Sequence, residues 1–565
     1  MNTQLLNLLV LLVFAPISCF LLLVPVSGKV FLSIDCGSSS LKPRTDNNSI
    51  VWVGDGPYIQ TGEVHKVNIP AQIPDFDSNA LNTLRAFPTR KKNCYSIDLD
   101  SKTVNSSRFL VRANFYYGNY DNKSSPPTFN LQFNGNNWEQ ITTTNDSVLY
   151  TEVVFSLNNT NNINVCLAQT HLDNIPFISA LEVRSLNSNI YGYVPSEFPL
   201  LFQLRTAFGT NKTVRYPEDS FDRIWSSLGP LSNPSTLRRI TSDAPSININ
   251  STIDKPPEAV LRTALLLFNS SEDIAYSDTT NLTGPWFFNA YFSEPIKLNS
   301  TQKRSFNLVV NANKDDSLFF PENPLIPPYG GALEVHIANV STFNSFFSLA
   351  FFRTNDSTLP SLINALEAYT VGAKLAQGTN SNDVKALGLL QKSFIQLQNW
   401  NGDPCLPSPY TWDWVACSDD TDSPRITALN LNDFGLIGTL PDFSAMDALK
   451  TINLRNNSLT EDIPEFLGTF PELTVLDLAD NNFLGTVPSS ISNNVNLKFT
   501  ATGNPNLSCT PTSICNTDPA SRIPPPSTNT NTEPKIPSPA DKGKSSKTLA
   551  QPIIILLIMF SGFLL

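Results

Sequence analysis

The 565-residue chain carries a formal net charge of −11, with 15% charged and 41% hydrophobic residues. Its length points to several domains, and its acidity excludes nucleic acid as the expected partner. Few charges among many Asn, Ser, Thr and Pro residues describe a secreted, β-rich protein rather than a cytosolic enzyme.

Residues 1–28 form a long apolar leader ending in Val26-Ser27-Gly28, the pattern of a secretory signal peptide, although the opening MNTQ lacks a positive charge. Behind it, fourteen Asn-x-Ser/Thr acceptors begin at Asn47, Asn105, Asn122, Asn145, Asn158, Asn211, Asn250, Asn269, Asn281, Asn299, Asn339, Asn355, Asn456 and Asn506. Used sites must face water, so the glycans are expected on loops and solvent faces.

From Lys29 to about Thr370 the pattern is strands. Phe109, Val111, Ala113, Phe115 and Tyr117 alternate with Leu110, Arg112, Asn114 and Tyr116. Phe129, Leu131 and Phe133 alternate with Asn130 and Gln132, and Leu333, Val335 and Ile337 with Glu334 and His336. Period two over short runs separated by turn residues predicts half-buried antiparallel sheets, and many such runs predict a sandwich. There is also a long echo. Phe177–Val183 recurs as Leu362–Ala368, 185 positions later; Phe129-Asn130-Leu131 recurs as Phe306-Asn307-Leu308; Asn114-Phe115-Tyr116 recurs loosely as Ala290-Tyr291-Phe292. Offsets of 176 to 185 predict two copies of one β-sandwich, residues 30–190 and 200–372.

Asp383–Leu397 reads as a helix, with Val384, Leu387, Phe394 and Leu397 near one face and Asn382 or Asp383 as N-cap. It belongs to a cap over residues 380–424. The centre of that cap is Trp400–Cys417, WNGDPCLPSPYTWDWVAC, with three tryptophans and two cysteines. Bridging Cys405 to Cys417 closes a small loop over the open end of a repeat stack, and such ends need cover.

The stack occupies residues 425–516. Its registers start at Ile426, Leu449 and Leu473, with a degraded fourth at Leu497, at periods of 23, 24 and 24 residues. These are leucine-rich repeats, each contributing a short strand. The Asn457 and Asn481 amides are expected to satisfy backbone groups of adjacent turns as a ladder. Exposed positions of the concave face include Asn430, Asn432, Asn453, Arg455, Asp477 and Ala479. Cys509 and Cys515 close the far end as a second bridge. Three further cysteines leave one unpaired; Cys36–Cys94 is the expected bridge and Cys166 a buried free thiol.

Residues 517–548 are rich in Pro, Ser and Thr and read as a stalk. Residues 549–565 form a hydrophobic tail, either a GPI-attachment signal or a membrane anchor.

IDCG at Ile34–Gly37, KNCYSID at Lys92–Asp98, YYGNYD at Tyr116–Asp121, INVCL at Ile163–Leu167, PFISALEVR at Pro176–Arg184, RYPEDSFDRIW at Arg215–Trp225 and LPSLINALEAYTV at Leu359–Val371 resemble plant malectin-like domains. With NWNGDPC and WDWVAC following, residues 30–516 resemble the ectodomain of plant malectin-like leucine-rich-repeat receptor kinases. The resemblance implies a mainly β fold: tandem malectin-like sandwiches followed by a short α/β-type repeat solenoid. The sequence shows no kinase-type Gly-rich loop and no HRD, and its one DFG, Asp433-Phe434-Gly435, falls inside the first leucine-spaced register, so it most resembles kinase-less, receptor-like members.

No catalytic residue is expected. HExxH, G-x-S-x-G and a P-loop are missing, and Asp419-Asp420 sit in a polar loop. The three histidines are scattered, so neither metal nor cofactor is expected. Tyr116, Tyr117, Tyr120 and Asp121 resemble in part the aromatic cluster with which animal malectin binds a diglucose, and Trp138 is a looser candidate. The expected function is a cell-surface receptor-like protein or co-receptor, located on the extracellular face of the plasma membrane. It would bind a cell-wall glycan or a secreted peptide and signal through a partner receptor kinase. The other reading is a non-signalling, wall-tethering lectin-like protein.

Overall fold

The computed structural model describes residues 30–517, apart from 41, 70–78, 100–106, 158–159, 230–236, 268–273, 280–284, 312–316, 342–345 and 510–514. The expected leader, stalk and hydrophobic tail therefore lie outside the described residues, as do Asn105, Asn158, Asn269 and Asn281. Among the described residues no helix is long and apolar enough to cross a membrane.

One eleven-stranded sheet crosses the molecule. Phe31–Asp35, Ala180–Asn187, Ser107–Phe115 and Leu149–Phe155 lie side by side in that order; Leu200–Ala207, Ala365–Val371, Pro285–Phe292 and Leu333–Ser341 continue it. The two quartets join where Val153 and Val154 pair with Leu201 and Leu200. Each quartet has a four-stranded companion. The first runs Lys92–Asp98, Asn162–Gln169, Thr128–Phe133, Asn136–Thr142, and the second Ile274–Thr279, Phe346–Arg353, Phe306–Asn311, Ser317–Leu325. Both halves thus use the same strand order. The register places Asn114 opposite Ala180 and Tyr291 opposite Ala365. The counterpart of Asn114 is therefore Tyr291, not Ala290. The one-residue slip in the sequence echo matters, because it exchanges the faces of the strand.

Apolar side chains fill the space between each quartet and its companion: Val111 and Phe115 meet Leu131, Phe133 and Val165 in the first half, and Trp286 and Phe292 meet Phe306, Leu308 and Phe351 in the second. The expected half-buried character does not hold for Ser107–Phe115, where Leu110, Arg112 and Asn114 are as buried as their neighbours. The connection between the halves and the loop after Leu200–Ala207 fold over that face, placing Tyr191, Val194 and Phe221 on Leu110, Val154 and Leu186.

A charged row lies beneath this cover. Arg112 donates to Glu152 (2.8 Å) and Glu182 (3.1 Å) and lies 3.3 Å from Asp222. Arg184 and Arg215 also reach Asp222, at 2.8 and 2.9 Å. Arg205 bridges the halves, donating to Glu152 (2.9 Å) and Glu367 (2.6 Å). Burial pushes the Asp222 carboxyl up, but Arg184, Arg215 and Arg112 overcome it and hold it well below the usual carboxylate range.

The helix runs Ser381–Ser393 and is capped by Asn380, whose side chain accepts from Asn382 N–H, so neither Asn382 nor Asp383 is the cap. Asp383 is instead buried and accepts from Arg425 and from Ile426 N–H. Leu387, Leu390, Phe394 and Leu397 pack toward the repeats. Val384 does not join them: it is 42% exposed. Trp400, Trp412 and Trp414 cluster with ring centroids 5.5–6.2 Å apart at the end of the stack. Val415–Cys417 pairs antiparallel with Ile426–Asn430, the first repeat strand, and Thr451–Asn453, Val475–Asp477 and Lys498–Thr500 follow in parallel. The asparagine ladder has a third rung. Asn457 donates to Leu431 O, Asn481 to Leu454 O and Asn504 to Leu478 O, all at 2.8–3.0 Å. Ala479 is fully buried and does not belong to the exposed face.

Bridges join Cys405–Cys417, Cys509–Cys515 and Cys94–Cys166. The expected Cys36–Cys94 bridge is thus replaced. Cys94 and Cys166 are direct cross-strand neighbours, and Cys36 is the buried free thiol.

Candidate functional site

The aromatic cluster singled out in the sequence is mostly internal. Tyr116, Tyr117 and Trp138 are 0–4% exposed and belong to the first-half core. They offer no ring face to a sugar. Tyr117 donates its hydroxyl to Asp121, and Tyr120 is only part-buried, its ring 4.8 Å from that of His65. The local reason is the turn after Ser107–Phe115, where Gly118 and Asn119 adopt positive φ and fold the tyrosines back onto Phe177. Of the expected ligand contacts, Tyr120 and Asp121 retain some access to solvent.

The larger opening lies elsewhere. The outer face of the first four-stranded sheet meets the repeat cap. Buried Lys92 donates to Asp403 O (2.7 Å) and Leu406 O (2.9 Å). Burial pushes its ammonium down to about 8. Arg90 donates to Asn399 O and stacks its guanidinium 4.1 Å over Trp400. Asn130 reaches the Tyr410 hydroxyl at 3.0 Å. Gly402, at φ +79°, lies directly on the Cys94–Cys166 bridge: a Cβ there would sit 2.5 Å from Cys94 Sγ. The Trp400–Cys417 stretch therefore does two jobs. Its tryptophans seal the repeats, and its glycine and carbonyls dock the first half.

Beside this contact a cleft of ≈ 670 Å³ opens between the sheet and the helix Ser381–Ser393. Asn134, Thr160 and Asn164 line the sheet side; Val384, Lys385 and Trp400 line the cap side. Asn164 Oδ1 is buried there with no hydrogen-bond partner. The Asp403 carboxylate also borders the cleft but is occupied, accepting from the N–H groups of Thr379, Cys405 and Leu406 at 2.8–2.9 Å. The lining is thus dominated by amides and hydroxyls, with one free cation, Lys385, among the described residues. Such a set can pair with hydroxyl or amide groups of a neutral ligand. Sequence reading missed it. Its asparagines look like turn residues, and only Val384, placed on the wrong face of the helix, hinted at a second surface.

Nine of the sequon asparagines, Asn47, Asn122, Asn145, Asn211, Asn250, Asn299, Asn355, Asn456 and Asn506, are exposed. Asn339 lies in the strand Leu333–Ser341, and its side chain is outside the described set.

Comparison with known proteins agrees with this architecture. Residues 34–371 match the Malectin-like domain and residues 447–497 match Leucine Rich repeats (2 copies). The uncharacterized protein At1g24485 of Arabidopsis thaliana is 34% identical over 374 residues, covering 65% of this chain and 70% of that protein. The probable LRR receptor-like serine/threonine-protein kinase At1g51880 is 31% identical over 498 residues, covering 83% of this chain. The chain spans about half the length of that kinase, 52%. The ANX1 ectodomain from the same plant superposes with a TM-score of 0.51 at 15% identity, over 61% of this chain and 96% of that one, a likeness of fold. The chain belongs to the malectin-like, leucine-rich-repeat receptor family of plants.

Proposed function

We propose that this chain is the ligand-binding part of a cell-surface receptor-like protein or co-receptor, that it takes a neutral cell-wall glycan in the cleft between the first half and the repeat cap, and that it signals through a partner receptor kinase. The observation that carries this reading is the cleft itself: amide-rich, walled by Trp400, and holding an orphaned acceptor at Asn164. Tyr120 and Asp121 are a second, smaller candidate contact. The matching strand orders support a duplicated sandwich unit over residues 30–190 and 200–372. Exposed sequons support an extracellular location.

The direct test is binding of the secreted ectodomain to an array of wall oligosaccharides, with Val384→Arg as the variant that fills the cleft from an exposed helix position. Binding by the native chain and its loss in Val384→Arg is expected. Unchanged binding in the variant excludes the cleft, and binding of secreted peptides alone replaces the glycan. Affinity capture from plant membranes addresses the signalling claim. Recovery of a receptor kinase supports it, whereas wall polysaccharide alone supports the wall-tethering alternative. Phospholipase release of the intact surface protein tests whether residues 549–565 direct a GPI anchor.

A further inference from the structure

Ten carboxylates are buried among the described residues, and nine of them, from Asp35 to Asp383, have an arginine within 4 Å. Asp254 is the exception. A second carboxylate, Glu334 on the sheet-edge strand Leu333–Ser341, lies beside it with a 4% exposed side chain and no arginine either. The imidazole beside the pair is His336, with Nε2 3.8 Å from Glu334 Oε2 and Nδ1 4.0 Å from Asp254 Oδ2, while the Arg223 guanidinium binds the Asp254 backbone carbonyl (2.8 Å) and acts on the carboxylate from farther off. Buried charge of one sign requires a counter-charge, a metal or a proton.

The surrounding bonds choose how the three side chains present themselves. Asn289 donates its amide to Asp254, so its carbonyl oxygen faces His336 Nδ1, 2.6 Å away. Nδ1 therefore carries the proton and Nε2 keeps its lone pair. Tyr191 N–H fixes Asp254 at 2.6 Å, and the N–H groups of Ile253 and Asp254 hold Glu334. The Tyr193 ring stacks 3.8 Å from the imidazole. One ligand atom from each of Asp254, Glu334 and His336 lies within 4.8 Å of the others. Three acceptors converge, and each is already oriented from behind.

We propose that Asp254, Glu334 and His336 bind one divalent cation of the zinc class. One imidazole nitrogen and two carboxylates are a donor set that suits Zn²⁺. Ca²⁺ needs six to eight oxygens, which the site does not supply. This inference stands apart from the glycan cleft, which belongs to the other half.

The test is calorimetric titration of the chelator-treated ectodomain with ZnCl₂ and with CaCl₂, alongside its melting temperature. One Zn²⁺ per chain, a Tm raised by several degrees and no comparable effect of Ca²⁺ are expected. Glu334→Gln and His336→Phe should each weaken Zn²⁺ at least tenfold, and the phenyl ring preserves the stack on Tyr193 should Glu334→Gln fail to fold. Asn289→Ala, which leaves all three ligands in place, should lower affinity by about tenfold or more through loss of orientation. Absence of saturable Zn²⁺ binding, or equal affinity in native and variant chains, overturns the proposal. A Glu334→Gln chain more stable than a native chain that binds no zinc identifies a shared proton instead.

Discussion

At equivalent places in the shared sheet, the first half aligns Glu182, Arg112 and Glu152, and the second aligns Glu367, Asn289 and His336. The strand order is the same, but the chemistry differs. The first half neutralises its carboxylates with arginines from three directions. The second half has an amide and an imidazole in the matching places, and no arginine lies within 4 Å of the Asp254 or Glu334 carboxylates among the described residues. The halves differ again on their outer sheets: a disulfide and the repeat cap cover the first, while neither feature appears on described residues of the second. A duplicated frame thus leaves one copy free to become a docking base and the other to hold different side-chain chemistry.

The sharpest way to break this contrast is Arg112→Ala. It leaves Glu152, Glu182 and Asp222 buried with fewer partners, and a loss of about 3–5 kcal/mol is expected from the urea midpoint. Asn289→Ala in the second half should lose far less, about 1 kcal/mol; equal losses would mean the two rows are not different in kind. Acid sharpens the same contrast. Asp222, Glu152 and Glu367 are all held low against burial by their arginines. Their contribution is present above the unfolded values of about 4 and is lost as pH falls through the lower folded values, because the unfolded chain protonates first. Melting temperature should be flat from pH 6 to about 5 for this network and drop below pH about 4. Arg112→Ala should move the drop to higher pH.

Replacing both Cys94 and Cys166 by serine should cost about 2–4 kcal/mol and loosen the cap as well, since Gly402 rests on that bridge. Limited proteolysis between residues 372 and 400 reads the second effect; unchanged cutting would separate the bridge from docking. Lys92→Met should cost about 1–3 kcal/mol, by leaving the carbonyls of Asp403 and Leu406 without their donor. Asn504→Ala, in the last rung of the ladder, should cost about 1 kcal/mol and leave the malectin-like region untouched.

Local spacing made the repeats, their cap and the alternating strands legible, because each is built from near neighbours in sequence. Trp400–Cys417 lies against the first repeat strand, as its tryptophans and cysteines suggested. What failed depended on distant partners. Cys94 and Cys166 are 72 residues apart and are joined only through strand register. Arg112 reads as solvent-facing until residues near Tyr191 and Asp222 fold over it. Tyr116 and Tyr117 look like a binding patch, but their turn sends them inward. Asp383 looked like a cap and is the partner of Arg425. The metal-type cluster was illegible for the same reason: Asp254 and Glu334 are 80 residues apart in sequence, and only the edge of the sheet joins them.

The ladder that crosses the midline, reinforced by Arg205 between Glu152 and Glu367, gives the malectin-like region no clamshell axis. Any bend of the molecule must be taken up where Gly402 rides on sulfur and Lys92 reaches two carbonyls. That seam borders the amide-rich cleft. An occupant there would act as a wedge or a glue, setting the angle between the repeats and the malectin-like region.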